Sequence, residues 1–224
     1  MIISKLEGTH VPFHPQLPNE NSSNKKKRKR RLIVCLTGMP GAGKSTVASH
    51  LKEKGFTVIT MGDAVREEAK RQSLEPTDAN LGSMMLKLRK ELGQGAVAHL
   101  ILKKLERDRN ENNLVIDGIR SIPEVEVLKK IGEVRLLAIH ASQDTRFKHL
   151  TERARSDAPT NQDEFAGRDK RELSVGISEA IALADETLSN NEITIDQLKD
   201  RAYAIVKVWL AEAAAAEDEE ETGK

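Results

Sequence analysis

The chain has 224 residues, 24.8 kDa, one cysteine and 3% aromatic residues, enough length to bury an aliphatic core of Leu, Ile, Val and Ala without disulfides or metals. Cys35 cannot pair internally, no apolar run approaches the ~20 residues of a membrane span, and Met1–Leu6 lacks the apolar stretch of a secretory signal, so a disulfide scaffold and a membrane protein are excluded and a cytoplasmic protein is expected. The net charge of +1 hides eight Lys/Arg against two Asp/Glu in residues 1–31 and six Asp/Glu against one Lys in residues 211–224, and the near-neutral middle excludes a basic folded nucleic-acid-binding domain.

Residues 1–31 mix Pro, Asn, Ser and Lys without periodicity and end in Lys25-Lys26-Lys27-Arg28-Lys29-Arg30-Arg31. This predicts a disordered basic arm, read as a solvated tail, a nuclear-localisation signal or a contact for RNA or DNA phosphates. Any nucleic-acid partner would have to use it. Residues 32–212 then alternate short apolar runs with helical patterns, the signature of βαβ units. The first strand is Leu32 to Thr37, followed by a helix from Lys44 to Lys54 that Gly55 stops. A second strand, Phe56 to Thr60, precedes helical segments at 63–72, 80–92 and 96–109. A third strand runs from Leu114 to Asp117, a helix from Pro123 to Ile131, and a fourth strand from Val134 to His140. Ser142 is the predicted N-cap of a helix reaching Arg155. A polar stretch, Ser156 to Gly167, is followed by a helical segment, a fifth strand at 186–190 and a last helix from Asp196 to Leu210. Residues 213–224 read as an acidic tail fraying from that helix. The expected fold is α/β, a three-layer doubly wound sheet of about five parallel strands of the P-loop kinase type, with ligands at the carboxyl ends of the strands.

Gly38-Met39-Pro40-Gly41-Ala42-Gly43-Lys44-Ser45 has Walker A spacing and lies between a strand and a helix, the context that motif requires. Together with Thr46 it forms the candidate ATP site. The glycines let the backbone wrap the phosphates, and the helix N-terminus aims N–H donors at them. Lys44 supplies a charge for the β- and γ-phosphates, and Ser45 a hydroxyl for Mg²⁺. Asp117 closes the third strand, which this topology puts beside the first. It can hold Mg²⁺ directly or through water, and Asp117-Gly118 is also good turn chemistry.

A P-loop alone fits GTPases, motors, regulatory ATPases and kinases. Arg66 and Arg120 fall just beyond the second and third strands, where two planar guanidiniums could hold an acceptor phosphate. Arg153, Arg155, Arg168 and Arg171 flank the polar stretch and suggest a lid, about residues 142–172, that excludes water from the triphosphate. A salt-bridged helix pair is the plainer reading of the same charges, because Glu152, Asp163, Glu164, Asp169 and Glu172 are close by.

Gly62-Asp63-x-x-Arg66 and Asp117-Gly118-x-Arg120 resemble elements of adenylate kinases and other nucleoside monophosphate kinases, whose matching arginines bind the acceptor phosphate. Arg146…Arg153-x-Arg155-x-Asp157 and Phe165-Ala166-Gly167-Arg168-Asp169-x-Arg171 resemble their mobile lid. Ala184 to Asn190 is similar to a late strand of dephospho-CoA kinases. Over about residues 32–210 the chain resembles an archaeal family of small nucleotide-kinase-like P-loop proteins. The resemblance implies an ATP- and Mg²⁺-dependent transfer to a phosphorylated small acceptor, with Lys44, Asp117, Arg66, Arg120, Arg155 and Arg168 as catalytic candidates.

Two positions depart from that pattern. Met61 stands where adenylate kinases carry a threonine, and Glu124 where they carry a glutamine that reads adenine. An ionised Glu124 would prefer a base edge rich in donors, guanine or cytosine. Asp63 is read as an N-cap or as a positional group near the acceptor. His140 and the series Leu81, Met84, Met85, Leu88 and Leu92 are read as structural. The rival is a regulatory or nucleic-acid-associated ATPase engaging a polynucleotide through the basic arm, and no oligomeric state follows from the sequence.

Overall fold

The computed structural model describes residues 31–105, 112–153 and 158–222. The basic arm, apart from Arg31, therefore lies outside the described residues. Five strands form one sheet, β1 (Leu32–Thr37), β2 (Thr57–Thr60), β3 (Leu114–Ile119), β4 (Glu133–His140) and β5 (Glu186–Ser189), in the order β2-β3-β1-β4-β5. Every neighbouring pair is parallel. The chain passes from β1 to the edge at β2, returns to β3 beside β1, then crosses to β4 on the other side. The carboxyl ends of the central strands thus open the crevice where such sheets bind ligands.

Strand β1 explains the layering. All six of its residues are buried, and alternate side chains enter opposite faces of the sheet. Ile33 and Cys35 join a cluster formed with α2 (Met61–Arg71), α3 (Asp78–Leu92), α4 (Ala96–Leu105), α5 (Ile122–Leu128) and α8 (Ile177–Ala182). Leu32, Val34 and Leu36 join a second cluster with α1 (Lys44–Glu53) and α9 (Ile195–Thr222), which Trp209 closes. Helices α6 (Gln143–Glu152) and α7 (Gln162–Ser174) lie over the carboxyl end of the sheet, where Phe147 and Phe165 meet edge to face at 5.4 Å. Burial pushes the Cys35 thiol up, so it behaves as a small apolar residue. No described helix is long and apolar enough to cross a membrane.

Several boundaries differ from expectation. Helix α2 begins at Met61, so Asp63 is its third residue and cannot be its N-cap. The polar stretch is helical from Gln162, because Asn161 caps α7 by accepting from Glu164 N and Glu164 reaches back to Thr160 N. The final helix does not fray near Leu210. It continues to Thr222 through Ala213–Ala216, residues of the highest helix propensity. Strand β3 runs on to Ile119, with Gly118 at φ 101° left out of the register between Leu36↔Asp117 and Thr37↔Ile119. That bulge turns the chain so that Asp117 and Arg120 both face the crevice.

The late part of α9 is mostly exposed, whereas Trp209 is 4% exposed. Removing residues 213–224 is therefore expected to change unfolding free energy by under about 1 kcal/mol, and Trp209→Ala to lower it by about 3–5 kcal/mol. Urea denaturation of the two variants beside the full chain checks both.

Candidate functional site

The loop from Gly38 to Gly43 is wedged between main chains. Gly38 lies at φ 136°, and a Cβ there would run into the carbonyl of Ile139 on β4. Gly41 lies at φ 84°, and its Cβ would strike the carbonyl of Arg146 on α6. Neither backbone can retreat cheaply, so both positions need glycine for shape and for space. Pro40 O accepts from Arg146 Nη1 at 3.2 Å, Gly41 O faces His149 Nδ1 at 3.0 Å, and Ala42 O accepts from Asn190 Nδ2 at 3.0 Å. With its carbonyls turned into the protein, the loop leads into α1 through Gly43, an N-cap with no side-chain hydrogen bond. The open amides of that helix start are a ready anion site.

Lys44 folds back on the loop, its Nζ donating to Gly38 O at 2.6 Å and Met39 O at 3.1 Å. Loss of water pushes its ammonium down to about 8, although Asp117 pulls the other way. Ser45 Oγ donates to Asp117 Oδ2 at 3.1 Å. This hydroxyl–carboxylate pair fits Mg²⁺, which takes one or two protein oxygens and completes its shell with water and phosphate. Among the described residues no group of three or more His, Cys, Asp or Glu side chains forms a larger metal cage. Thr46 faces the far side of the loop with His149, Arg153 and Lys199, where a second cavity extends from the P-loop.

The first cavity brings Lys44, Ser45, Asp117, Arg66, Arg120, Arg153 and Arg168 together with Glu172. Gly62 and Gly118 leave room for two guanidiniums, since a Cβ on either would sit 3.3 Å from Arg66 Nη1 or Arg120 Nη1. Arg66 bonds Asp63 at 2.8 Å, which gives Asp63 the task of holding that arginine. Arg120 donates from Nε to Glu172 at 2.6 Å and from Nη1 to Gly118 O at 2.8 Å. Burial alone would raise the Glu172 carboxyl, but Arg120, with Arg168 and Lys44 behind it, holds it below the usual range.

Other expected residues take different posts. Glu124 is fully buried, with Oε1 on Arg89 at 2.5 Å and Oε2 accepting from Arg120 N at 2.8 Å, so it cannot reach a base edge. Burial raises its carboxyl, against the pull of Arg89 and the Arg120 amide. Met61 is 1% exposed in the core. Arg146 pairs bidentately with Asp169 at 2.9 and 2.6 Å and lies over the Phe165 ring, pinning α7 to the loop and leaving no fork for a triphosphate. Arg171 donates to Asp78 at 2.6 Å, with Arg168 Nε 3.7 Å from the same carboxylate. Arg155 lies outside the described residues. His140 is exposed, Leu92 is 60% exposed rather than packed, and Leu81 and Met85 line a cavity as well as packing.

The roles of three residues were not anticipated, although Glu172 was counted among the salt-bridging acids and Asn190 closed the late-strand motif. Asn190 clamps the P-loop from the end of β5, Glu172 counters Arg120, and Arg89 sits buried beside Glu124. The signal for Glu172 was its place one turn after Arg168. Arg89 gave none, because an arginine between Leu88 and Lys90 looks like any solvated helix charge. Its Nε and Nη1 are buried without a hydrogen-bond partner among the described residues, at a cost of about 1–3 kcal/mol per unsatisfied group.

This geometry has relatives. The AAA domain family matches residues 37–166. The UPF0200 protein of Pyrococcus abyssi is 44% identical over 165 residues, covering 72% of this chain and 88% of that protein. The one of Pyrococcus furiosus is 45% identical over 181 residues, covering 79% and 97%. Among solved structures, TT1252 from Thermus thermophilus aligns with a TM-score of 0.57 at 20% identity, covering 82% of this chain and 98% of its own. Shikimate kinase from Acinetobacter baumannii, in complex with shikimate, aligns with a TM-score of 0.53 at 16% identity over 83% and 96%. The two solved structures share the fold, a parallel five-stranded sheet of the P-loop kinase type, and the sequence relatives make the chain a member of the UPF0200 family.

Proposed function

We propose that the chain is an ATP-dependent phosphotransferase that moves the γ-phosphate to a small acceptor already carrying a phosphate, in the manner of a nucleoside monophosphate kinase. The observation that carries this reading is one cavity in which Lys44 and the Ser45–Asp117 pair share walls with Arg66, Arg120 and Arg168. A nucleotide hydrolase can use an arginine at the γ-phosphate, whereas transfer between two anions also needs cations to hold the acceptor's phosphate.

In this reading the triphosphate lies along the P-loop amides, with the nucleoside on the side of Thr46, His149 and Arg153. Ser45 and Asp117 hold Mg²⁺, which when bound neutralises the β- and γ-phosphate oxygens. Arg66 and Arg120 orient the acceptor phosphate so that one of its oxygens forms a bond to Pγ as the bond from Pγ to the β-bridging oxygen breaks and ADP leaves. An ionised phosphate oxygen needs no general base, so rate comes from alignment and charge neutralisation. The acceptor phosphate would take over Arg120 from Glu172. The lid is narrower than residues 142–172, since Arg146 and His149 tie α6 to the loop. Arg153 and Arg168 flank the P-loop in the first cavity and would close its wall.

The test is ADP release from Mg-ATP across nucleoside and deoxynucleoside monophosphates, dephospho-CoA and shikimate. At least one phosphorylated acceptor should accelerate ADP release. Arg66→Ala or Arg120→Ala should lower that acceptor's kcat/KM by roughly 100-fold, and removal of residues 1–31 should leave it unchanged. A rate that ignores every acceptor and instead rises with polynucleotide, only while the arm is present, would move the chain to the ATPase class. A second expectation concerns pH. The Lys44 ammonium, lowered to about 8 without ligand, is raised again by a bound triphosphate, so ATP affinity is full below that pH and falls as pH rises through it. Calorimetry from pH 7 to 10 should show Kd rising by up to about tenfold per unit above 8, and Lys44→Met should flatten the profile.

A further inference from the structure

Behind the acceptor-side arginines lies another cavity, between α2, α3 and α7, that shares Gly62, Arg66, Arg120, Arg168 and Glu172 with the first. Val65, Leu81, Met85 and Val97 give it an aliphatic wall, with no aromatic ring among the described residues that line it. Arg89 is its buried cation. Only 5% of the residue is exposed, and Nη2 is taken by Glu124, while Nε and Nη1 have no partner among the described residues. A guanidinium cannot shed its proton, so those donors are satisfied only when something brings them an acceptor atom. The charge balance points the same way. Five arginines line the cavity against Asp78 and Glu172, and Glu124 is already shared between Arg89 and the Arg120 amide.

We propose that Arg89 reads the end of the acceptor molecule remote from its phosphate, and that this end presents oxygen acceptors, as an oxo edge of a nucleobase or a carboxylate, in preference to an exocyclic amino group. The inference rests on the phosphotransferase reading for the position of the acceptor phosphate. An amino group would set its donors against the buried Arg89 donors, with no acceptor between them to relieve the clash. Glu124 makes the reading mechanical as well as selective. It bonds Arg89 through one oxygen and the Arg120 main chain through the other, so a group that settles Arg89 also settles the backbone carrying Arg120. A purely structural Arg89 would serve only to neutralise Glu124, and lysine would do that equally well.

Calorimetry on the full chain with Mg-ADP present, titrating GMP, AMP, UMP, CMP and 3-phosphoglycerate, separates these roles. If the remote group is a base oxo edge, GMP should bind at least about tenfold more tightly than AMP, and UMP than CMP. If it is a carboxylate, 3-phosphoglycerate should exceed all four by that margin. In Arg89→Lys the preference should shrink to within about threefold, with Mg-ADP still bound. The paired variant R89M/E124Q, which removes both buried charges together, should lose it as well while melting cooperatively. The proposal is overturned if AMP and CMP match their oxo partners and 3-phosphoglycerate has no advantage, if the preference survives both variants, or if none of the five binds. Parallel turnover assays keep the two readings apart. Binding with the preference but no ADP formation sinks phosphoryl transfer and leaves Arg89 as a reader, whereas turnover without the preference sinks Arg89 alone.

Discussion

The rest of the site depends on how closely the P-loop backbone is pressed against β4 and α6. Gly38 and Gly41 meet the carbonyls of Ile139 and Arg146 with no room for a side chain, and Asn190 holds Ala42 from a third side. A loop gripped on its carbonyl side must present its amides to the crevice. That is why a main chain with no charge of its own offers a site for an anion. The same grip fixes α6, and through the Arg146–Asp169 pair it fixes α7, which delivers Arg168 and Glu172 to the opposite wall.

Around that loop, cations are stored with removable counter-ions. Arg66 rests on Asp63, Arg120 on Glu172, and Arg171 on Asp78. Asp63 is 62% exposed, so its pair contributes little to stability and can open at small cost. Glu172 is 6% exposed, and breaking its pair without a replacement would strand a buried charge. In the proposed transfer an acceptor phosphate would replace Glu172 on Arg120 and leave Glu172 to Arg168 or water. The Arg89–Glu124 pair differs, being buried on both sides and anchored to the Arg120 main chain, and it behaves as a fixture.

Fold and P-loop were legible because they rest on local chemistry. A continuous apolar run predicts a strand buried on both faces, and Gly-x4-Gly-Lys-Ser between a strand and a helix predicts the loop. Asp117 followed from topology, since β3 had to lie beside β1. The lid was overdrawn because Arg146 and Arg168 look alike in sequence. Only packing shows one stacked on Phe165 and the other lining the cavity. Glu124 was misjudged for a related reason. Its motif neighbours place it by the acceptor, but Arg89, 35 positions earlier, takes the oxygen that would have met a base.

The amino-acid sequence by itself determined the parallel α/β sheet, the P-loop and the placement of Arg66 and Arg120 beyond the ends of β2 and β3, because periodicity, glycine placement and strand ends are encoded within a few residues of one another. Tertiary structure alone decided which charges line the cavity and which are spent on protein partners. Ion pairs form between side chains far apart in sequence, and burial, which sets their worth, belongs to the packed molecule. Arg89 shows the division most plainly, reading as one more solvated charge along the chain and standing as a buried, half-satisfied cation in the fold.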